Sequence, residues 1–316
     1  MATQKKLVTL LIPACNEEQS LVPLYREVCA LMDNEPAYDF EVLFVDDGST
    51  DGTLHVVKDL RAADARVSYA SLSRNFGKEN AMLAGFDYAR GDCVVVMDAD
   101  LQDPPALVSQ MLRCWEQGYD DVYARRASRG KESFMRNRLS RLFYWILDRS
   151  TRFEVLKNVG DFRLLDRACV NALRQLRESE RYTKGMFCWI GYRKREIVFD
   201  RDDRVAGKSN WNLFSLTNLA VDGITSFTTT PLRISTFIGI VVSVVSFVYM
   251  IYFLVKTLVF GDPIQGFPTL IIVILFLGGV QLVSIGIIGE YLGRVFNESK
   301  RRPPYLCREY NGEKVY

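Results

Sequence analysis

Two carboxylates spaced one residue apart follow an apolar run in the first third of the chain. Residues 93–97 (CVVVM) lead directly into Asp98 and Asp100, and Gln102 and two prolines come next. Carboxylate and carboxamide oxygens are hard ligands, which suit Mg²⁺ or Mn²⁺ carrying a phosphate. The spacing therefore predicts a divalent-metal site at Asp98, Asp100 and Gln102. The alternative is an acidic turn that only caps the following helix.

Alternating strands and helices must position these residues. Apolar runs at 7–12, 41–45, 67–72 and 93–97 are each followed by a polar turn and a helical pattern, which is typical of a parallel sheet with helical crossovers. The carboxyl ends of such strands converge on one crevice, where open α/β sheets bind their ligands. The charged residues that follow these strand ends are Glu17, Asp46, Asp47, Arg74, Lys78, Asp98 and Asp100.

Composition and missing motifs argue against several classes of protein. The chain of 316 residues has one histidine and seven cysteines without a C-x-x-C pair, which argues against a zinc site or a histidine-dependent triad. It contains neither G-x-G-x-x-G nor G-x-x-x-x-G-K-[ST], so a dinucleotide or P-loop site is disfavoured. No signal peptide precedes the first strand, so we expect the globular part to be cytosolic.

A basic segment with interleaved aromatic residues follows a predicted strand at 121–124. Residues 134–149 are expected to form a basic amphipathic helix of the kind that lies in a membrane interface. Arginines in such a helix suit a lipid phosphate, because the guanidinium group forks onto phosphate oxygens. Two alternatives remain, an ordinary surface helix packed on the sheet and, less favoured, a nucleic-acid-binding segment.

Two long apolar runs follow near the carboxyl end. Residues 234–255 and 267–288 carry no charge, and each run is long enough to span a bilayer. Arg233 precedes the first run, and Arg294 and three further basic residues follow the second. This bias places both chain ends in the cytoplasm and predicts a multi-pass anchor in the inner (cytoplasmic) membrane. The alternative is a pair of buried helices in a soluble protein.

Four motifs in order resemble the glycosyltransferases of family 2, and more narrowly the polyprenyl-phosphate glycosyltransferases (bactoprenol glucosyltransferases and dolichyl-phosphate mannose synthases). They are VTLLIPACNEE at 8–18, VDDGSTDGT at 45–53, SRNFGK at 73–78 and DADLQDPP at 98–105. GEYLGR at 289–294 is similar to the bactoprenol branch. The resemblance covers essentially the whole chain.

The resemblance implies a GT-A fold, which is an α/β architecture with a Rossmann-like, mostly parallel sheet. It also implies a metal-dependent, inverting transfer of a hexose from a nucleotide diphosphate sugar to polyprenyl phosphate. UDP-glucose and undecaprenyl phosphate are the preferred substrates, with Mg²⁺ or Mn²⁺ as cofactor, and relatives imply a homotetramer. The alternatives are GDP-mannose, an aminosugar or an N-acetylhexosamine as donor and, in another class, a non-catalytic membrane scaffold.

The same resemblance divides the chain into three regions. Residues 1–130 would form the nucleotide-sugar-binding domain, and residues 131–230 an acceptor-side region with amphipathic interface helices. Residues 231–316 would form the anchor, with helices at about 234–257 and 267–290 and a cytosolic tail. The Q-x-x-R-W motif of processive polysaccharide synthases is absent, so polymerisation is not expected.

Site roles follow from motif position in the resembled family. Asp98, Asp100 and Asp161 would form the catalytic set, although a helix-capping or salt-bridged Asp161 is the alternative. The residues expected to hold the acceptor phosphate are Arg125, Arg136 and Ser140. Those expected to bind the donor are Pro13, Asn16, Glu17, Asp46, Asp47, Arg74, Lys78, Gln102 and Lys208. Lys208 enters as a substitute, because Asn210 stands where the family often has a lysine.

The implied chemistry does not require a strong base. A phosphate monoester has a second pKa of about 6, so the acceptor oxygen is already largely ionised at neutral pH. Such a nucleophile needs positioning and charge screening more than deprotonation. We therefore expect Asp161 to orient a substrate rather than to remove a proton.

Overall fold

The computed structural model describes residues 5–126, 159–179, 181–199, 230–260 and 267–315. The chain divides into two compact units. The first contains the strands and the shorter helices and includes the C-terminal residues from Arg302 onward, whereas the second contains two long apolar helices and ends at Arg301. The predicted amphipathic segment 134–149 lies outside the described residues.

The strands of the described residues form one mixed sheet. In chain order they are β1 (Leu7–Ala14), β2 (Asp39–Asp46), β3 (Val67–Leu72), β4 (Cys93–Val96), β5 (Asp121–Arg126), β6 (Val159–Asp166), β7 (Lys194–Phe199), β8 (Cys307–Tyr310) and β9 (Glu313–Lys314). Their spatial order is β7-β5-β6-β4-β1-β2-β3-β8-β9. Strands β1 to β4 are parallel, whereas β6 runs antiparallel between β4 and β5. The predicted GT-A-like sheet is therefore confirmed.

Helices cover this sheet. In the described part of the first unit they are α1 (Leu21–Asn34), α2 (Thr53–Ala63), α3 (Lys78–Tyr88), α4 (Leu107–Glu116), α5 (Arg167–Gln175) and α6 (Thr183–Trp189). Helix α1 is amphipathic and buries Leu21, Leu24 and Val28 at helical spacing. Helix α3 lies directly on the sheet, because a Cβ atom on Gly85 would come within 2.1 Å of the Leu11 side chain. This close approach fixes the distance between α3 and β1.

Strand register brings the polar strand ends to one edge of the sheet. Ala14 of β1 lies opposite Asp46 of β2, and Asp46 lies opposite Ser71 of β3. Beyond β1, Val96 at the end of β4 lies opposite Arg163 of β6. Because β6 is antiparallel to β4, the residues that follow β4 lie beside those that begin β6.

The second unit contains α7 (Thr230–Phe260) and α8 (Phe267–Ser299), which pack against each other. They have 31 and 33 residues. At about 1.5 Å per residue each is longer than the roughly 30 Å hydrocarbon core of a bilayer. Among the described residues, Phe276–Ser299 is long and apolar enough to cross a membrane, and Ser235–Tyr249 is a shorter apolar stretch. Large apolar side chains are exposed along both helices, as lipid-facing helices require.

The residues from Arg302 onward belong to the first unit and were not predicted to form strands. Strand β8 pairs antiparallel with β3, and β9 folds back onto β8. Asn311 and Gly312, between β8 and β9, have φ values of 50° and 93°. Positive φ at both positions is the requirement of a two-residue Asn-Gly hairpin turn. The hairpin of β8 and β9 therefore covers what would otherwise be the open edge of β3.

A buried ion pair joins β5 and β6. Arg163 and Asp121 have side chains that are 2% and 0% exposed, and Arg163 Nη1 lies 3.2 Å from Asp121 Oδ2. The guanidinium carbon also lies 3.7 Å from the centroid of the Phe187 ring. Removing one partner of such a pair leaves an uncompensated buried charge, which costs more than the intact pair contributes.

Replacing the acidic partner should therefore destabilise the first unit. Asp121→Ala is expected to cost about 3–5 kcal/mol, because Arg163 remains charged and unpaired. Glu196→Ala removes the partly exposed partner of Arg125, and should cost less than about 1 kcal/mol. Thermal unfolding of the full-length protein in detergent, followed by circular dichroism, would rank the two variants. Equal melting temperatures would contradict this interpretation.

Candidate active site

Three side chains from three elements meet at the carboxyl edge of the sheet. Asp98 follows β4, Asp161 lies on β6, and Lys78 begins α3. Lys78 Nζ lies 2.6 Å from Asp98 Oδ1 and 2.7 Å from Asp161 Oδ2. The Lys78 side chain is 42% exposed, that of Asp98 32% and that of Asp161 9%. The cluster is therefore open to solvent at Asp98 and closed at Asp161.

Electrostatics keep Lys78 and Asp161 charged. Burial alone would lower the pKa of Lys78, but the carboxylates of Asp161 and Asp98 outweigh it and raise that pKa. Burial acts to raise the pKa of Asp161, yet Lys78 and Lys184 hold it below its ordinary value. A carboxylate with a lowered pKa is a poor proton acceptor at neutral pH, which favours the predicted orienting role. The other oxygen of this carboxylate, Asp161 Oδ1, is buried and has no hydrogen-bond partner among the residues that the structure describes.

Two acidic side chains at the end of β2 hold neighbouring segments in place. Asp46 accepts a hydrogen bond from Ser71 Oγ at 2.9 Å. Asp47 accepts from the amides of Phe76 and Gly77 at 2.7 and 2.9 Å, and burial raises the pKa of Asp47. Asp46 is buried and supports the fold, whereas Asp47 both fixes the loop after β3 and lines the cleft described below.

The turn after β1 is tied to the turn after β2. The amide of Asn16 donates to Ser49 Oγ at 3.0 Å, and Asn16 Oδ1 accepts from the Thr50 amide at 2.9 Å. The Glu17 amide donates to Thr53 Oγ1 at 2.8 Å. Asn16 has a φ of 58°, a left-handed conformation that asparagine tolerates. These bonds place Glu17 at the cleft. The Asn16 side chain is hydrogen-bonded to the turn after β2.

A cleft of about 240 Å³ opens at this edge. The residues that line it are Pro13, Ala14, Cys15, Glu17, Asp47, Asn75, Gly77, Lys78, Ala81, Asp98, Ala99 and Asp100. Six of these were predicted as donor or metal residues, namely Pro13, Glu17, Asp47, Lys78, Asp98 and Asp100. The cleft therefore contains residues that follow each of the four parallel strands β1, β2, β3 and β4.

Cys15 and Asn75 line the cleft but were not singled out from the sequence. Asn75 Nδ2 donates to Cys15 Sγ at 3.2 Å, which joins the turn after β1 to the loop after β3. Burial raises the pKa of the Cys15 thiol, so this side chain is a neutral part of the wall. Both residues fall inside the recognised motifs at 8–18 and 73–78, so motif position was the signal that could have identified them.

The predicted donor residue Arg74 makes local contacts. Its guanidinium carbon lies 4.0 Å from the centroid of the Phe76 ring, and its Nη1 donates to the carbonyl of Asn75 at 2.8 Å. It is not among the lining residues of the cleft. The structure therefore places Arg74 on the loop that borders the cleft, where its guanidinium group contacts residues of the same loop.

The acidic turn after β4 brings two carboxylates to the cleft. Asp98 and Asp100 line the cleft, and the backbone amide of Gln102 donates to Asp100 Oδ1 at 3.1 Å. Among the described residues, no three carboxylate, cysteine or histidine side chains form a complete metal site. Mg²⁺ commonly takes one or two protein carboxylates and completes its shell with substrate phosphates and water. The two carboxylates therefore fit a metal that arrives with a diphosphate.

Of the three predicted acceptor residues, the structure describes Arg125. It lies near the end of β5, and its Nη2 is 2.9 Å from Glu196 Oε1 of β7. Both side chains are 36% exposed, so this pair is accessible to a competing anion. Arg136 and Ser140, and the donor candidate Lys208, lie outside the described residues.

Comparisons with known proteins cover nearly the whole chain. Residues 9–174 match Glycosyl transferase family 2, and residues 230–295 match the GtrB C-terminal hairpin. A bactoprenol glucosyl transferase of Shigella phage SfV is 40% identical, covering 95% of this chain and 98% of that protein. A putative glycosyltransferase of Bacillus subtilis is 45% identical, covering 96% and 92%. An uncharacterized glycosyltransferase of Synechocystis is 43% identical and covers 96% of both chains.

The sheet, the Asp-x-Asp turn and the adjoining cleft define a GT-A type of glycosyltransferase. The chain belongs to glycosyltransferase family 2, because the family match spans more than half of its residues and relatives of at least 40% identity cover almost all of it. The resemblance drawn from the sequence motifs is thus confirmed. The hairpin match extends it to the two long apolar helices.

Gly48 offers a test of the contact between the turns that border the cleft. It has a φ of 66°, and a Cβ atom there would lie 2.3 Å from the backbone carbon of Arg74. Gly48→Ala should displace the loop that Asp47 holds. We expect the Kd for UDP to rise by about tenfold, as loss of one or two hydrogen bonds would cause. Isothermal titration calorimetry on the full-length protein would measure this.

Gly118→Ala is the matched control. Gly118 also has a positive φ, of 85°, but the nearest atom to its added Cβ would be 3.9 Å away. Both variants therefore carry a similar backbone penalty, and only Gly48→Ala adds a clash. An equal loss of UDP affinity in the two variants would contradict a specific role for the Gly48 contact.

Proposed function

We propose that this protein transfers a hexose, with glucose from UDP-glucose as the best-supported choice, to a polyprenyl phosphate such as undecaprenyl phosphate. The observation that carries the proposal is the convergence of Lys78, Asp98 and Asp161 beside the cleft of a family 2 sheet. The name of the Shigella phage relative, bactoprenol glucosyl transferase, supports both the sugar and the lipid acceptor. The product would be a polyprenyl-phosphate β-hexose for later transfer to surface glycans or lipids.

The donor binds in the cleft. Glu17 and Asp47 line the part formed by the ends of β1 and β2, where the nucleoside would lie. Asp98 and Asp100 line the part that would face the diphosphate. A divalent metal held by these two carboxylates and Gln102 would stabilise the charge of the departing nucleotide diphosphate.

Lys78 partly neutralises the two carboxylates beside it at the carboxyl edge of the sheet, which we call the reaction edge. One ammonium group serves two carboxylates, those of Asp98 and Asp161, so the three groups carry a net charge of −1 when all are ionised. A preorganised negative charge stabilises positive charge that develops at an anomeric carbon during sugar transfer. Lys78 thereby allows Asp161 to remain ionised although it is buried.

The acceptor reacts as a phosphate anion. Its second pKa of about 6 makes a protein base unnecessary at neutral pH. Arg125 would exchange Glu196 for the lipid phosphate and, together with Arg136 and Ser140, hold one phosphate oxygen in line behind the anomeric carbon. Attack from that side inverts the configuration, which gives a β-linked product from an α-linked donor. Asp161 orients the sugar within this arrangement.

The pairing of strand β8 with β3 is an argument that α7 and α8 form a two-helix membrane hairpin. Because β8 is hydrogen-bonded to β3, the chain after α8 ends on the side of the membrane that contains the sheet. Helices α7 and α8 lie between β7 and β8 in the chain, so together they cross the membrane an even number of times. Arg294 and the basic residues 300–302 favour the cytoplasm for this side. We infer an inner-membrane enzyme with a cytosolic catalytic unit.

The decisive experiment is a transfer assay with membranes that contain the full-length protein. Radiolabelled UDP-glucose, undecaprenyl phosphate and Mg²⁺ or Mn²⁺ should give a labelled lipid that releases glucose in mild acid. Parallel reactions with GDP-mannose and UDP-N-acetylglucosamine identify the donor. Labelled lipid from another donor alone would overturn the assignment of glucose. Absence of labelled lipid with every donor would refute the enzyme and favour a non-catalytic scaffold.

Asp98 and the metal can be tested together. Asp98→Asn is expected to lower kcat/KM by about 10²–10³-fold, since it removes charge at the site of the leaving diphosphate. EDTA should abolish turnover of the parent protein, and added Mn²⁺ should restore it. Asp59→Asn, at a side chain on α2 that is 69% exposed, is the control and should leave kinetics unchanged. Full activity of the parent in EDTA would contradict the metal assignment.

Asp161→Asn separates orientation from proton removal. The amide keeps the shape of the side chain and loses its charge, so kcat should fall by about 10–100-fold. The KM values for donor and acceptor should stay close to those of the parent. Steady-state kinetics with both substrates varied would measure this. Complete loss of turnover with normal binding of both substrates would instead indicate an essential base.

A further inference from the structure

The segment that follows the second apolar helix is part of the first unit, where it is hydrogen-bonded to the sheet. Strand β8 pairs with β3, with Ala70 opposite Tyr310 and Leu72 opposite Cys307. At the end of the pairing, the Ser73 amide donates to the carbonyl of Leu306 at 2.9 Å. This bond is made by the first residue of the loop after β3, so the C-terminal segment holds the point at which that loop begins.

The loop after β3 in turn forms one wall of the cleft. Asn75 and Gly77 line the cleft, and the amides of Phe76 and Gly77 donate to Asp47 at 2.7 and 2.9 Å. Gly48 packs against the backbone of Arg74 with no room for a Cβ atom. A shift at Ser73 would therefore be transmitted within a few residues to the carboxylate and the backbone that contact the donor.

Side-chain contacts at both ends fasten the C-terminal segment. The Tyr305 hydroxyl donates to Asp87 Oδ2 at 2.5 Å, and Asp87 is also held by Arg177 Nη1 at 2.7 Å. Lys58 Nζ lies 2.8 Å from Glu309 Oε1. The hydroxyl of Tyr69 donates to the same Glu309 oxygen.

Further contacts lie at the hairpin end of the segment. The ring of Tyr310 stacks on that of Tyr88, with 4.6 Å between centroids. Asn311 Oδ1 accepts from the Tyr69 amide at 2.8 Å, and the Asn311 amide donates to the Tyr69 carbonyl at 3.1 Å. Both strand faces and both ends of the segment are thus attached, which exceeds what covering an open strand edge requires.

We propose that residues 305–311 are a positioning element of the donor site, which fixes the end of β3 and through it the loop 73–77 that holds Asp47. The proposal rests on the proposed function in one respect, since it takes the ligand of the cleft to be a nucleoside diphosphate. It assigns to the chain after the membrane helices a part in donor binding in addition to covering the sheet edge.

The test compares variants of the full-length protein in detergent, with UDP and Mg²⁺ as the probe. Glu309→Ala removes the contacts to Lys58 and Tyr69, and it should raise the Kd for UDP by about fivefold. Glu309→Gln keeps an acceptor oxygen and should recover most of the affinity. Glu313→Ala, on the exposed strand β9, is the matched control and should bind UDP like the parent. All titrations are made below the melting transition of every variant.

Hydrogen exchange gives a second readout that does not depend on UDP. In Glu309→Ala the amides of residues 73–77 should exchange faster than in the parent, while those of α4 should be unchanged. In turnover assays the donor KM should rise and the acceptor KM should not. Removal of residues 305–316 should produce a larger effect of the same kind, and the point variants decide the matter if that deletion does not fold.

Two results would overturn the proposal. One is an unchanged UDP affinity together with unchanged exchange at 73–77 in Glu309→Ala. The other is an equal loss of affinity in Glu309→Ala and Glu313→Ala, which would indicate general destabilisation. A parent protein that binds no UDP would refute the proposed donor, and the exchange at 73–77 would then decide the positioning role alone.

Discussion

A lysine shared by two carboxylates holds the reaction edge together. Asp161 is buried, and a buried carboxylate without a counter-charge would be strongly destabilising. Strand β6 can carry this residue because Lys78 reaches it from the start of α3 and Lys184 adds further positive charge. Lys78 follows Gly77, whose amide is held by Asp47. The placement of the candidate catalytic carboxylate therefore depends on the loop after β3 and, through that loop, on the end of β2.

The acidic residues at this edge serve two different purposes. Asp46 and Asp47 accept hydrogen bonds from a hydroxyl and from backbone amides, and these bonds shape the walls of the cleft. Asp98 and Asp100 line the cleft after the end of β4, and Asp98 is paired with Lys78. In the sequence both pairs are simply carboxylates that follow an apolar run. Only the neighbouring loops, which are distant in the chain, determine which carboxylates support the fold and which can bind a ligand.

The buried parallel strands were predictable because each is a mainly apolar run that is followed by polar residues, and the carboxyl-edge site follows from that topology. Strand β6 was not predicted, since VGDFRLLD contains a glycine and three charged residues. The burial of Arg163 depends on Asp121 and Phe187, which are distant in the chain. Strand β8 is short and polar, and its partner lies more than two hundred residues earlier. The Asn311-Gly312 pair was the local signal for the hairpin.

The two long apolar helices lie in the chain between strands of one sheet. Strand β7, which precedes α7 in the chain, forms one edge, whereas β8 and β9, which follow α8, lie at the opposite edge. The sheet is therefore complete only when strands from both sides of the helices in the chain have paired, and β8 must pair with β3 across more than two hundred residues. Closing so long a loop costs conformational entropy before the pairing stabilises the fold. The apolar helices are thus an insertion between parts of the first unit, and the loop after β3, whose first amide is bonded to Leu306, depends on the chain that follows them.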